Sequence, residues 1–365
     1  MPRTILILLA AFAALGLGLY IATDLFKAVE QEDSFAYVYY RSLSGGEDGV
    51  AIANVTPGSD HFGQITQTVK MGRGTLPHHP YYNRDRSKLY NTALNGQNLY
   101  RVDLEGTRIH DVVPLDARNC RVGEDLYFSR DGSKFYLTCM GSDRVLVFDG
   151  ETDTLIDEIR APYPDEFNDT NSEQVTLNDP ETGEPLGEIT APTNPFIHWP
   201  HGIAANELID RMIVTETIKP DLSEPGTHLT IIRPSTGDIL QTIPLMKEPG
   251  ELTSPVEVAF HPNSSVAYVT GMMNATLWAL TWDPQNGTFT PHLVDDGSDR
   301  GHSWPLEMVF GPDGRLYVSW ADPGVVNVYD VSDAAEPELV DTLPAEAGAH
   351  HIAFSPNGRY MYVQN

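Results

Sequence analysis

Three histidine clusters in this chain have the composition of a metal or proton-transfer site: His78-His79, His198-x-x-His201 and His350-His351. Each lies just ahead of a short apolar run, in "PHHPYY", "HWPHGIAA" and "AHHIAF". Neutral imidazole offers a nitrogen lone pair suited to copper, zinc or iron, and carboxylates can complete such a set. Asp125, Glu257 and Glu307 stand at the corresponding place before three other apolar runs, and His302 lies in an adjoining loop. Residues so far apart in the chain do chemistry together only if the fold returns each of them to one point.

A repeat supplies that return. The segments "LYFSRDGSKFYLTC" (126–139), "VAFHPNSSVAYVTG" (258–271), "MVFGPDGRLYVSW" (308–320) and "IAFSPNGRYMYV" (352–363) share one plan, with weaker copies at 80–92 and 203–216. Each is an apolar strand, a polar turn often carrying Asp-Gly or Asn-Gly, and a second strand, which predicts a β-hairpin. Most copies are followed by two further strand-like stretches. Four strands recurring at roughly 45–55 residues is the period of propeller blades. The predicted fold is therefore all-β, a β-propeller of four-stranded blades over residues 31–365.

Aligning the copies on the position before the turn (Tyr82, Phe128, Ala205, Phe260, Phe310, Phe354) orders the candidates. Two steps back all residues are apolar, as packing between blades requires. Three steps back stand His79, Asp125, Gly202, Glu257, Glu307 and His351; four steps back stand His78, Glu124, His201, Val256, Leu306 and His350. The first strand of each blade lines a propeller's central channel, so these positions predict a ring at one channel mouth. The expected metal residues are His78, His79, His201, His350 and His351, with Asp125, Glu257 and Glu307 as ring carboxylates. The simpler alternative is a wet, polar channel that binds only water.

The "F-x-P-[DN]-G-x-x-x-YV" hairpins in "AFSPNGRYMYV" and "VFGPDGRLYV" resemble the YVTN/YncE-like propeller repeats, over about residues 34 to 365. The entrance histidines are also similar to those of two copper-containing groups, the selenium-binding-protein/methanethiol oxidase group and the propeller head of nitrous oxide reductase. The resemblance implies a channel ligand, and in its sharpest form a copper-dependent or other metal-dependent oxidoreductase. The alternative it leaves open is a non-catalytic binding or protein-interaction scaffold, since this fold hosts many activities. The carboxylates depart from the histidine-rich pattern of the copper groups and suit a harder cation or a cationic organic ligand equally.

Six repeat starts, three strand-like stretches before the first and two strands at the end do not close evenly. Seven blades with about 30 C-terminal residues lacking, or six blades with one displaced strand, both account for the count. Residues 162–199, rich in Pro, Asp, Glu and Asn, read as an acidic loop inserted between blades.

The remaining composition narrows the partners. With 51 acidic against 23 basic residues and a net charge of -28, nucleic acid and anionic membrane surfaces are repelled. A small-molecule or metal ligand, and a periplasmic protein partner, are compatible with that charge. Residues 1–30 carry Arg3 and an apolar run from Ile5 to Ala22, long enough as a helix to cross a bilayer. They read as a signal anchor or a cleaved signal peptide, the sole membrane contact, with the rest on the periplasmic or extracellular side. Cys120 and Cys139, the only cysteines, fall near facing positions of one hairpin and predict a disulfide, which an oxidising compartment permits. No C-x-x-C-H, G-x-G-x-x-G, P-loop or G-x-S-x-G pattern occurs, which argues against covalent haem, nucleotide cofactors and a serine nucleophile.

Overall fold

The computed structural model describes residues 34–161, 172–179, 182, 184–192 and 194–365. The chain divides into two compact units, Met1–Val38 with Val50–Thr68, and Tyr39–Gly49 with Val69–Asn365. In the first, Val50, Ala51, Ile52 and Ala53 are buried, and the Val55 N–H donates to the Ser34 carbonyl at 2.8 Å. All of the candidate site lies in the second.

The second unit holds five antiparallel four-stranded sheets, in residues 77–114, 123–159, 200–244, 255–296 and 303–344, each with its strands in chain order. A two-stranded hairpin follows, Ile352–Phe354 with Met361–Val363, and strands Phe35–Tyr40, Asp48–Asn54 and Ile65–Gly72 make a separate three-stranded sheet. The hairpin turns are those the repeat predicts. Gly132, Gly314 and Gly358 follow Asp131, Asp313 and Asn357 with φ of 72°, 82° and 66°, a left-handed conformation that glycine adopts without a Cβ clash.

Four apolar cores hold neighbouring sheets face to face. Tyr90 and Leu99 of the first four-stranded sheet pack with Leu126, Phe135 and Phe148 of the second. Equivalent clusters join the second to the third, the third to the fourth and the fourth to the fifth. The sheets are buried on both faces, so their middle strands read as continuous apolar runs such as "RVLVFD". First strands of successive sheets also touch in order, from Pro77–Tyr82 through Gly123–Phe128, Pro200–Asn206, Pro255–Phe260 and Ser303–Phe310 to Ile352–Phe354. Sheets stacked face to face with their first strands side by side are propeller blades around an axis.

One sequence expectation needs adjusting. The inserted segment 162–199 is more than a loop: Ser172–Asn178 and Pro185–Pro192 pair as an antiparallel hairpin. The leading three strands and the trailing two belong to different sheets, as five strands, one too many for a four-stranded blade, require. Among the described residues no helix is long and apolar enough to cross a membrane, and the run 5–22 read as an anchor lies outside them.

Candidate metal centre

The ring is assembled by one local device repeated five times. A non-glycine residue in the left-handed region stands at the entrance of each first strand, immediately before it for Leu76, Val122, Trp199 and Ser254 and one residue inside it for Trp304, with φ of 52°, 58°, 39°, 50° and 58°. Gly348, with φ of 91°, occupies the sixth place. Such angles are unfavourable outside glycine, most of all for β-branched Val122, and a cost repeated at one position is a mark of imposed geometry. The register then slips within every first strand, between Pro77 and Pro80, Gly123 and Leu126, Pro200 and Ile203, Pro255 and Val258, and Pro305 and Met308. The two residues inside each slip are the two polar columns of the alignment. Regular pleating sends adjacent side chains to opposite faces, whereas a bulge re-aims them. His78 and His79 consequently stack at 3.9 Å between ring centroids.

A hydroxyl on the second strand pins each bulge. The N–H groups of His79, Asp125, Gly202, Glu257 and Glu307 donate to Thr92, Thr138, Thr215, Thr270 and Ser319 at 2.8–3.1 Å. The hydroxyls of Thr138, Thr215 and Thr270 donate in turn to the entrance carbonyls of His201, Val256 and Leu306 in the next sheet, at 2.7–2.8 Å. The Thr of "YVT" in the repeat thus ties one ring position to the next.

At the centre the predicted residues converge. His79 and His351 lie 4.6 Å apart between ring centroids, and His79 and His201 lie 5.7 Å apart. His79 Nδ1 is 2.5 Å from Asp125 Oδ1, while its Nε2, 3.9 Å from Glu307 Oε1, is buried without a hydrogen-bond partner. His350 Nε2 and His351 Nδ1 reach the same Glu307 oxygen at 3.6 and 3.3 Å. His201 sits 3.6 Å from Glu124 and 3.4 Å from Glu257. At the third sheet the ring residue is His201 and not Gly202, because the bulge brings either column inward.

Electrostatics sort these groups into donors and acceptors. Burial raises the Asp125 carboxyl, but electrostatic attraction to the adjacent His79 and their hydrogen bond outweigh it and hold it far below the usual carboxylate range. An ionised Asp125 only accepts, so it fixes the proton of His79 on Nδ1 and leaves the Nε2 lone pair facing the ring. Burial, then the neighbouring imidazoles His79 and His78, depress His79's neighbours His350 and His351 as well: burial and His79 bring them to about 3 and about 2. His79 itself is lowered by burial and by His78. For His201 burial is outweighed by Glu124, Asp125 and Glu307, which raise it. Burial and nearby carboxylates push Glu257 and Glu307 well above the normal range.

Of two further participants, Tyr81 escaped the sequence reading, and Glu124 stood in the second column without being expected among the ring carboxylates. Tyr81, two residues beyond His79 and so on its face of the strand, donates its hydroxyl to Asp125; the period of two was the available signal. Glu124, 2% exposed, lies 3.0 Å from His78 Nε2. Two histidines near the ring lie elsewhere: His198 pairs with Glu216 at 2.9 Å, and His302 rests against Trp320. Cys120 and Cys139 are joined in a disulfide beside the Gly123 entrance.

The fit to a metal can be judged from the donors alone. His79, Glu307, His350 and His351 present one ligand atom each within 4.8 Å of one another; so do His78, His79 and His201, and so do Asp125, His201 and Glu257. His79 Nε2, Glu124 Oε2, His201 Nδ1, Glu257 Oε1 and Glu307 Oε1 are buried with no hydrogen-bond partner. Buried polar atoms are almost always satisfied, so five orphans in one place fit a bound cation.

Comparison with known proteins agrees with the fold. Residues 250–365 match the family model described as lactonase, 7-bladed beta-propeller. The chain is 18% identical over 364 residues to the methanethiol oxidase of Ruegeria pomeroyi, covering 92% of this chain and 78% of that protein. Among solved structures it is similar to a hypothetical selenium-binding protein from Sulfolobus tokodaii, with a TM-score of 0.68, 13% identity and coverage of 91% and 82%. It is also similar to the periplasmic gluconolactonase of Pseudomonas aeruginosa, with a TM-score of 0.55, 14% identity and coverage of 90% and 89%. The chain has the β-propeller fold.

Proposed function

We propose that this protein is a periplasm-facing propeller that binds a divalent transition metal at its channel mouth, in the sharpest form copper for an oxidoreductase reaction. The observation that carries the reading is His79: its Nδ1 is engaged by Asp125, and its buried Nε2 has no partner. A carboxylate behind an imidazole raises the ring's basicity and sets its orientation, as in many metal sites. His350 and His351 would bind beside it, with His78 and His201 completing or orienting the set. A bound copper ion would supply one-electron redox chemistry and Lewis acidity. Asp125, held by Tyr81 and His79, keeps the Nδ1 proton in place. The bulge hydroxyls hold the imidazoles where the metal needs them, without reorganisation on binding.

The similarity to methanethiol oxidase supports a redox role, and the Cys120–Cys139 bond suits the oxidising compartment proposed. Four acidic side chains around the mouth favour a second reading, a non-catalytic binding propeller for a cationic small molecule. Metal analysis of full-length protein produced in the periplasm tests both. About one equivalent of tightly held copper, lost on chelation together with any oxidase activity, is expected; protein free of metal after periplasmic production and copper supplementation leaves the second reading.

A further inference from the structure

We propose that the ring holds two divalent cations, a softer one among His79, Glu307, His350 and His351 and a harder one among Asp125, His201 and Glu257. The proposal rests on the metal reading above and goes beyond it in stoichiometry and in ligand chemistry.

Three observations carry it. The two ligand sets have no residue in common, and each keeps its donor atoms within 4.8 Å. Each also contains its own buried, unpartnered atoms: His79 Nε2 and Glu307 Oε1 in one, His201 Nδ1 and Glu257 Oε1 in the other. A single ion in the first set would leave His201, only 8% exposed, with an orphaned nitrogen. The third observation is charge. Among the described residues, the ion pairs of Glu124, Asp125, Glu257 and Glu307 are all to imidazoles and none to lysine or arginine. Imidazoles bound to a metal through their lone pairs are neutral and balance no charge. Once all four carboxylates are ionised by binding, two dications match their charge, whereas one leaves two negative charges uncompensated in a buried site, at a large desolvation cost.

The donors differ enough to separate the ions. Three imidazoles and one carboxylate suit copper, whereas two carboxylates and one imidazole suit a more oxygen-preferring ion such as Mn2+. His78, His79 and His201 form a third set that shares one member with each of the others, so imidazoles line the space between the two positions.

The test is sequential loading of chelator-treated, full-chain protein with one equivalent of Cu2+ and then with Mn2+. Bound metal is counted after gel filtration, and free Mn2+ is followed by its EPR signal. The copper-loaded protein should take up one further equivalent of Mn2+. Glu257→Gln should weaken Mn2+ uptake at least tenfold and retain copper, while His350→Gln/His351→Gln should weaken copper at least tenfold and retain Mn2+. Circular dichroism checks that each variant is folded. Copper-loaded protein that leaves the Mn2+ signal untouched overturns the two-cation proposal while leaving the single-metal reading standing. Loss of both metals in folded Glu257→Gln also overturns it, because the two sets would then be one. Protein that binds neither ion overturns the metal reading itself.

Discussion

Two clusters of buried carboxylate and imidazole lie near the entrance of the third four-stranded sheet, and they are built to opposite ends. Glu216, 4% exposed, accepts from His198 Nδ1 at 2.9 Å, His228 Nδ1 at 3.1 Å and the backbone N–H groups of Thr227 and His228 at 3.0 Å each. Burial pushes its carboxyl up, yet these donors outweigh that and bring it down to about 2. The ring a few residues away contains the same residue types, but His79, His201, Glu257 and Glu307 each keep an unpartnered atom. Residue type therefore does not separate a structural cluster from a ligand site. Completeness of hydrogen bonding does: a satisfied cluster stabilises the fold, and an unsatisfied one has capacity left for a ligand.

The largest effect should come from His79→Ala/His351→Ala. Metal retention should fall from stoichiometric to background by elemental analysis, with an unchanged β-sheet circular dichroism spectrum, because neither side chain belongs to the apolar cores. If the same result followed from Glu216→Ala, the contrast between the clusters would collapse.

Glu216→Ala should instead destabilise the protein by roughly 3 kcal/mol in denaturant unfolding, the scale of removing one partner from a buried ionic network, and leave metal content unchanged. The contribution is pH-dependent in a defined direction. With its folded pKa lowered from the ordinary 4.5 to about 2, Glu216 stabilises fully above about pH 4.5 and loses that contribution as pH falls toward 2. The stability gap between the native protein and Glu216→Gln should therefore narrow between pH 5 and pH 3.

Replacing both Cys120 and Cys139 with alanine should cost about 3 kcal/mol, from the unfolded-chain entropy restored when a loop of this length opens. Unfolding midpoints with and without reductant measure it. No change in midpoint would mean that the hairpin and the entrance are held by their backbone pairing alone.

The smallest expected change is the most local. Thr138→Val keeps the shape but removes the hydroxyl that joins Asp125 N–H to the His201 carbonyl, costing about 1 kcal/mol. Its distinctive signature should be a weaker hold on metal, restored by Thr138→Ser. A loss of stability with metal affinity intact would make these hydroxyls structural only.

Much of this was legible in the chain. The Asp-Gly and Asn-Gly turns, the alternating strands and the recurrence of "YVT"-like ends demand stacked hairpins, because each copy has apolar faces that only a neighbouring copy can cover. The same repeat aligned His79, Asp125, Glu257, Glu307 and His351 in one column, since position within a repeat becomes position around an axis. What pattern alone left undecided was which of two adjacent residues turns inward. Strict alternation separates His78 from His79 and Glu124 from Asp125; the bulges and the left-handed residues before them bring both members of each pair to the ring. Nor does a sequence distinguish His198 from His201, three residues apart and equally histidine. One meets a carboxylate already saturated by backbone donors, the other faces carboxylates with oxygens to spare. That difference depends on where distant backbone N–H groups and side chains come to rest, which three-dimensional packing decides because hydrogen-bond satisfaction is a property of the assembled neighbourhood and not of the residue.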